Sequence, residues 1–118
     1  MKFEDESMKC FAHVGIRPHG TLLETAEVLG GVLAVSFVED ECRRYDEYPA
    51  FVAEVKNIRY ALLGIPDPDD DLRDEPIDDF ELVVEPISSL PQVKKADVSE
   101  ALVSVIERDG RLTCWVLK

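Results

Sequence analysis

Apolar and polar positions form short runs along the chain, and each run predicts one secondary-structure element. Met8 to Ile16 alternates like a half-buried strand, and the nearly continuous apolar run from Val32 to Val38 is typical of a strand buried on both faces. Between them, Thr21 and Glu24 have the spacing of a capping box, which predicts a helix that ends at Gly30-Gly31. The first part of the chain is therefore predicted as strand, helix and strand.

The middle of the chain contains one more helical pattern and two more strand patterns. Apolar residues recur at helical spacing from Tyr48 to Val55, and Pro49 suits a first helical turn, so a second helix is predicted that ends at Asn57. Ile58 to Ile65 reads as an apolar strand, and Phe80 to Val84 alternates. We expect these two strands to pair antiparallel.

The last part of the chain predicts a helix and a strand. Asp97 and Glu100 have the spacing of a second capping pair, and the helix after them is expected to bury Leu102. Leu112 to Leu117 is a final strand that carries Trp115, the only tryptophan. The predicted order is β-α-β-α-β-β-α-β. It indicates an α+β domain with α/β-like alternation, built on a mixed central sheet of about five strands with about three helices.

Length and composition predict one globular domain over residues 1–118. The chain has 118 residues, 46% of them hydrophobic, which supports a core and argues against disorder. We expect residues 1–7 to be a flexible N-terminus. No apolar run reaches the ~20 residues of a membrane helix, and the acidic N-terminus lacks the pattern of a signal peptide. The sequence therefore predicts a cytoplasmic protein without a membrane partner.

Charge narrows the choice of partners further. The net charge is −12, and nucleic acid is excluded as a partner because binding it requires basic patches that displace counterions. Ten carboxylates and one base, Arg73, lie between Asp67 and Glu85. This segment lies between two apolar runs that hold it in place, and a fixed concentration of negative charge favours a cationic protein as partner.

Two connections supply the predicted partner-binding residues. We call residues 66–79 the long acidic connection and residues 39–47 the short acidic connection. If both lie at one end of the sheet, their carboxylates form a single patch. The predicted partner-binding residues are Asp67, Asp69, Asp70, Asp71, Asp74, Glu75, Asp78, Asp79, Glu81, Glu39, Asp40 and Glu41.

Residues with catalytic potential do not form a recognisable catalytic pattern. His13 lies in the first predicted strand and His19 in a turn, and no serine lies in a Gly-x-Ser-x-Gly elbow. The odd number of cysteines indicates reduced thiols, which are Cys10, Cys42 and Cys114. We therefore expect no enzymatic activity, no cofactor and no resident metal.

A metal site is the main alternative use of the long acidic connection. Asp67 to Asp78 places oxygens at the first, third and fifth positions of an EF-hand-like loop. Leu72 replaces the glycine of such a loop, and Arg73 adds a competing positive charge. Calcium binding or metal-dependent hydrolysis stays open as an alternative function, and so does a scaffold role in a larger assembly.

Three segments carry a resemblance to a known class of proteins. They are Tyr45 to Val55, Tyr60 to Pro76 and Asp79 to Val84, from the middle of the chain. In the residue pattern of these segments, and in its size and acidity, the chain resembles small immunity proteins of bacterial toxin–immunity pairs, such as those of contact-dependent growth inhibition systems. The resemblance implies a cognate toxin domain, often a nuclease, that is bound and blocked in the cytoplasm. It implies no particular site residues, because such immunity proteins differ in fold.

The sequence as a whole favours an inhibitory binding protein. A small acidic domain can neutralise a basic toxin, and a nuclease above all, because its carboxylates take the places of phosphates against arginine and lysine side chains. The pattern predicts no oligomeric state and does not identify the toxin.

Overall fold

The structure, a computed structural model, describes residues 9–40, 48–55, 57–65, 79–87 and 95–117. Within these ranges the chain forms seven strands and two helices. In chain order they are β1 (Lys9–Ile16), α1 (Leu22–Leu33), β2 (Val38–Glu39), β3 (Ala50–Val55), β4 (Ile58–Leu63), β5 (Phe80–Pro86), β6 (Lys95–Asp97), α2 (Ser99–Asp109) and β7 (Cys114–Val116).

Strands β2, β3, β4 and β5 form an antiparallel meander, and β5 then pairs with β1. The first strand of the chain therefore lies inside the sheet, and α1 must carry the chain from β1 back to β2 past three other strands. Four strand spacings of about 4.8 Å make about 19 Å, close to the length of a 12-residue helix at about 1.5 Å per residue. The length of α1 thus matches the crossing it has to make.

The other side of β1 is shared by two short strands. β6 runs parallel to the first half of β1, where Phe11 is opposite Asp97. β7 runs antiparallel to the second half, where Gly15 is opposite Trp115. α2 connects these two strands. The parallel pair of β1 and β6 makes an otherwise antiparallel sheet a mixed one.

Both helices pack on one face of the sheet, which we call the helix face. Every second residue of β1 and β5 points to it, and these residues are buried: Ala12, Val14, Ile16, Phe80, Leu82 and Val84. Leu29 of α1, together with Leu102 and Ile106 of α2, packs into the same cluster and is almost fully shielded from solvent. Burial of each such side chain stabilises the fold by about 1.5–3 kcal/mol, so this face provides most of the core.

The predicted second helix is wrong, because the segment forms the strand β3. Phe51 packs against the core on the helix face, whereas Val52 belongs to a second apolar cluster on the opposite face. A strand with apolar residues on both faces loses its alternation and can imitate helical spacing. Val55 pairs with Ile58, and Asn57 takes the left-handed conformation between them, with φ of 67°. Asn57 therefore ends the segment in a hairpin turn and not at a helix terminus.

The predicted strand from Val32 to Val38 is also wrong, because α1 is longer than expected. The helix continues to Leu33 and ends at Ala34, which has φ of 58°, and only the two residues of β2 form a strand. Val32 and Leu33 pack against the core on the helix face. Their burial offsets the cost of about 1 kcal/mol that a glycine imposes within a helix.

Gly30 does not end α1 but allows the chain to turn back over it. A Cβ atom at this position would lie 2.7 Å from the carbonyl oxygen of Val35, which is closer than such atoms approach in proteins. The backbone N–H of Val35 donates a hydrogen bond to the carbonyl of Gly30 at 3.0 Å. The glycine signal was therefore read correctly as a special backbone position but assigned to the wrong purpose.

The two predicted helix caps have different outcomes. At α1 the capping box is confirmed, with Glu24 N–H donating to Thr21 Oγ1 at 3.1 Å and Thr21 N–H donating to Glu24 Oε1 at 2.9 Å. The latter hydrogen bond lowers the pKa of Glu24. At α2 the predicted pairing of Asp97 with Glu100 is wrong. Asp97 Oδ1 instead accepts from the hydroxyl and the backbone N–H of Ser99, at 2.6 and 2.9 Å.

The predicted α+β class and the antiparallel pairing of β4 with β5 are confirmed. The described ranges contain more strands and fewer helices than expected, mainly because β3 had been taken for a helix. Residues 1–7 and 66–78 lie outside the described residues, so the two expectations for them stay predictions. In the described part of the chain, neither helix has the length and apolar character to span a membrane.

Candidate partner-binding surface

The face of the sheet turned away from the helices carries most of the polar side chains, and we call it the outer face. Side chains of a strand point alternately to the two faces, so strands that bury every second residue on the helix face present the others outward. From β1 and β5 the outward residues are Phe11, His13, Gly15, Glu81, Val83 and Glu85.

Four of the predicted partner-binding residues lie within the described ranges. Glu39 ends β2 and Asp40 follows it, whereas Asp79 precedes β5 and Glu81 is the second residue of that strand. The remaining predicted residues lie outside the described residues: Glu41, Asp67, Asp69, Asp70, Asp71, Asp74, Glu75 and Asp78.

The ends of the two acidic connections converge at one end of the sheet. Asp40 N–H donates to the carbonyl of Ala50 at 2.9 Å, and Ala50 is the register partner of Leu63. Leu63 is in turn the partner of Glu81. Strands lie about 4.8 Å apart, so the backbones of Asp40 and Glu81 are within about 15 Å of each other. We call this end of the sheet, defined by Glu39, Asp40, Asp79 and Glu81, the acidic end.

A second hydrogen bond ties the two connections together directly. Gly64 N–H donates to the carbonyl of Pro49 at 2.7 Å, so the chain two residues before the long acidic connection is held against the chain two residues after the short one. Leu22 of α1 approaches Gly64 so closely that a Cβ there would lie 2.8 Å from a Leu22 methyl carbon. The acidic end is therefore fixed by backbone pairing and by packing.

Charge is distributed unevenly along β1. At its far end, Lys9 is the register partner of Lys95, whereas its last residue, Ile16, is the partner of Phe80 between two carboxylates. Arg17 follows Ile16 and is exposed, so one positive charge adjoins the acidic end. The four carboxylates outnumber it, and the field at this end is negative.

Glu81 is hydrogen-bonded to His13 on the outer face. Glu81 Oε2 lies 2.7 Å from His13 Nε2, and the two side chains are 42% and 49% exposed. An ionised carboxylate can only accept a hydrogen bond, so Nε2 carries the hydrogen. An exposed pair of this kind contributes about 0–1 kcal/mol to stability, and its main effect is to orient the Glu81 carboxylate.

The indole of Trp115 lies directly against Gly15. Its neighbour Cys114 is buried in the core on the helix face, so the indole points to the outer face. A methyl group at Gly15 would overlap the indole Nε1 and Cε2 atoms. Since Gly15 is also the register partner of Glu81, the indole occupies the space beside that carboxylate. Trp115 is only partly buried, which leaves indole surface accessible to solvent.

Arg59 joins two carboxylates on the same face. Its guanidinium is 3.0 Å from Glu54 on β3 and 3.5 Å from Glu85 on β5. The three residues are register partners in a single row across β3, β4 and β5. This row lies four residues along β5 from Glu81, so on the outer face β5 presents one carboxylate paired with arginine and another paired with histidine.

A small apolar cluster covers the part of the outer face next to the acidic end. Four residues of β3 and β4 form it and are buried, and two partly buried side chains pack against them. The buried members are Ala50, Val52, Ala61 and Leu63, and the packed ones are Tyr48 and Val83. This cluster supports the strand ends that carry the acidic connections.

The described residues offer little for nucleophilic or metal chemistry. Burial raises the pKa of the Cys114 thiol to about 11, with a smaller effect of the Glu107 carboxylate, so this cysteine is protonated at neutral pH. Among the described residues, no three or more His, Cys, Asp or Glu side chains form a group that could hold a metal ion. The surface can attract and hydrogen-bond cations, and it presents an aromatic ring beside them.

A groove of about 680 Å³ lies elsewhere, between α1, residues 34–37 and the end of β3. Glu27 and Glu54 are its charged lining residues. It adjoins Val55, at the opposite end of β3 from Ala50, and so it is not part of the acidic end.

Sequence reasoning missed the residues that give the outer face its shape. His13 lies in a strand, as predicted, but its pairing with Glu81 was not predicted. The position of the Trp115 indole on the outer face was not predicted either. The alternation of Cys114, Trp115 and Val116 could have placed the indole opposite the cysteine, although not over Gly15.

No protein-family model matches the chain, and neither a curated protein nor a solved structure matches it.

Proposed function

We propose that the protein is an inhibitory binding protein of the immunity type, which docks a cationic toxin domain on the acidic end of its sheet. The observation that supports this most directly is the row of register partners from Ala50 through Leu63 to Glu81, continued by Asp40. This row brings the ends of both acidic connections together.

A fixed acidic surface favours fast association with a basic partner. The backbone at the acidic end is held by strand pairing, so little conformational entropy is lost there when a partner binds. Electrostatic steering between surfaces of opposite charge raises association rates to about 10⁸–10⁹ M⁻¹s⁻¹ at low salt. A protein that must neutralise a toxin benefits from this speed.

A nuclease fits the surface best among cationic toxins. Its active site binds phosphates through arginine and lysine, and carboxylates can occupy the same positions with charge-assisted hydrogen bonds. We place this action in the cytoplasm, because a nuclease has to be blocked where its nucleic acid is. Oligomeric state has no part in the proposal.

The test uses the product of the adjacent gene as the candidate toxin and measures association by stopped flow at several salt concentrations. Asp70→Lys/Asp71→Lys reverses charge in the long acidic connection. We expect it to slow association by about tenfold or more at low salt and to flatten the salt dependence.

The matched control is Glu107→Lys, which makes the same change in charge per residue on the exposed surface of α2. The association rate of this variant should stay within about twofold of the wild-type rate, because Glu107 lies on the helix-covered side of the molecule. If the double variant binds as fast as the wild type in low salt, the long acidic connection is not the docking surface. Protection of living cells by the wild type, and its loss in the double variant, links binding to inhibition.

Calcium separates the alternative use of the long acidic connection from the proposed one. A metal-binding protein would show a melting temperature that rises with calcium concentration. A protein that shows this rise and does not bind the candidate toxin would be assigned to the metal-binding alternative, and a protein that shows neither would be assigned to the scaffold alternative.

A further inference from the structure

We infer that Trp115 and Glu81 together form a cradle for one arginine side chain of the partner, with the guanidinium stacked on the indole and hydrogen-bonded to the carboxylate. This inference rests on the proposed function, because it assigns the docking contact within the same surface.

The geometry places an aromatic ring and a carboxylate side by side on the outer face. Gly15 lies between Trp115 and Glu81 in the register of three adjacent strands. Because glycine has no side chain, the indole lies directly against it and comes within about one strand spacing, ~5 Å, of the Glu81 position. His13 hydrogen-bonds to Oε2 of Glu81, and the Glu81 side chain is 42% exposed, so its carboxylate is accessible to a further donor.

Arginine fits this arrangement better than lysine. The guanidinium is planar and stacks on an aromatic face while its N–H groups still reach a carboxylate in the same plane, whereas an ammonium is a strongly hydrated point charge. Interfaces concentrate their binding energy in a few residues, and tryptophan and arginine are enriched among them. Within a broad acidic surface, the cradle would fix the register of the partner.

Phe11 extends the same surface along β1. It is 37% exposed and points outward two residues from His13, on the side away from Gly15. Aromatic residues are enriched in protein interfaces, so an exposed phenylalanine on the same face as Trp115 supports the use of this face for binding. The net charge of −12 selects a basic protein as the occupant.

Glu85 provides a matched internal control. It lies on the same strand and the same face as Glu81, and the two side chains are 43% and 42% exposed. Glu85 faces Arg59 and is remote from Trp115. Glu81→Gln and Glu85→Gln therefore remove the same charge at the same depth, and a difference between them reports the cradle alone.

The probe is hexa-arginine, with hexalysine as a peptide of equal charge, and the readout is fluorescence. Trp115 is the only tryptophan, so its emission reports this site. We expect hexa-arginine to change the emission and to bind about fivefold more weakly to Glu81→Gln, which corresponds to about 1 kcal/mol. Glu85→Gln should weaken binding by less than about twofold, and hexalysine should respond equally to both variants.

Trp115→Leu tests the stacking contact with fluorescently labelled peptides. We expect the preference for hexa-arginine over hexalysine to disappear in this variant, which a general loss of charge would not cause. Trp115→Phe serves as a second variant, and thermal unfolding of each variant confirms that it folds. Equal weakening by Glu81→Gln and Glu85→Gln, or an unchanged preference in both Trp115 variants, would overturn the inference.

The outcomes separate this inference from the proposed function. If the candidate toxin binds with the expected salt dependence but the two glutamine variants behave alike, the cradle is wrong and the proposed function stands. If hexa-arginine behaves as expected but the candidate toxin does not bind the wild type at all, the cradle binds arginine and the proposed function is wrong.

Discussion

The helix face and the outer face are built from the same strands, yet they are stabilised in different ways. On β5, Leu82 is fully buried beneath the helices, while its neighbour Glu81 stands on the outer face, hydrogen-bonded to His13. The helix face forms one continuous apolar core, whereas the outer face combines ion pairs, an indole over a glycine and a small second cluster.

The difference shows which face determines stability and which face is available for recognition. Burial of one large apolar side chain contributes about 1.5–3 kcal/mol, whereas an exposed ion pair contributes about 0–1 kcal/mol. Substitutions on the outer face should therefore alter binding with small effects on folding. The predictions below test this contrast in order of decreasing effect.

The largest effect is expected for Leu102→Ala on α2. Leu102 is 1% exposed at the centre of the core, and its truncation leaves a cavity that should lower the free energy of unfolding by about 2–5 kcal/mol. The control is Leu23→Ala on α1, at a leucine that is 50% exposed, which should change stability by less than about 0.5 kcal/mol. Urea unfolding measures both, and equal effects would show that α2 does not cover the core.

Alanine substitutions at the adjacent glycines Gly30 and Gly31 are expected to change the stability by intermediate amounts and in opposite directions. Gly30→Ala forces a methyl group against the Val35 carbonyl and should destabilise the protein by about 1–3 kcal/mol. Gly31→Ala has as its nearest neighbour the Arg111 guanidinium at 3.8 Å, so it should stabilise α1 by about 0.5–1 kcal/mol. Thermal unfolding distinguishes the two. If both variants gained stability, the fold-back over Gly30 would be contradicted.

A smaller effect is expected for Arg59→Gln on the outer face. The substitution leaves Glu54 and Glu85 on either side of an uncharged residue and should cost about 0.5–1 kcal/mol at low salt. Added salt should reduce this cost, because the repulsion between the carboxylates is screened. Denaturant titration at low and high salt checks both points, and a cost above about 2 kcal/mol would mean that the row is not exposed.

The smallest effect concerns acid stability at the start of α2. Hydrogen bonds from the hydroxyl and the backbone N–H of Ser99 lower the pKa of Asp97 below the usual 3.8. The unfolded state then takes up the proton first, so this stabilisation is present above pH 3.8 and is lost as the pH falls towards the lower folded value.

The wild type should therefore be more stable than Asp97→Asn above pH 3.8, and this difference in the free energy of unfolding should shrink as the pH falls below 3.8. Unfolding titrations of both proteins between pH 6 and about pH 2 measure this gap, and effects of the other carboxylates cancel in the difference. A gap that is independent of pH would show that the contact with Ser99 does not form.

The parts of the fold that sequence predicts well are those with short-range signals. The alternation in β1 and the capping box of Thr21 and Glu24 could be read from windows of a few residues, and the pairing of β4 with β5 followed from their succession along the chain. The end of α1 and the identity of β3 could not. In both segments, burial against residues distant in the chain overrode the local pattern.

The candidate surface shows the same division. The sequence identified Asp79, Glu81, Glu39 and Asp40 as partner-binding candidates, but it could not place them at one end of the sheet. His13 and Glu81 are 68 residues apart in the sequence, and their contact exists only because β1 inserts beside β5. The position of Trp115 beside the same carboxylate has the same origin.

The sequence by itself determined the charge, the α+β class and the segments that carry the carboxylates, because these depend on composition and on local periodicity. Only the tertiary structure decided the order of the strands and therefore which side chains meet. Strand order depends on pairings between remote segments and on the burial of both faces of each strand, and no short window of the chain contains that information.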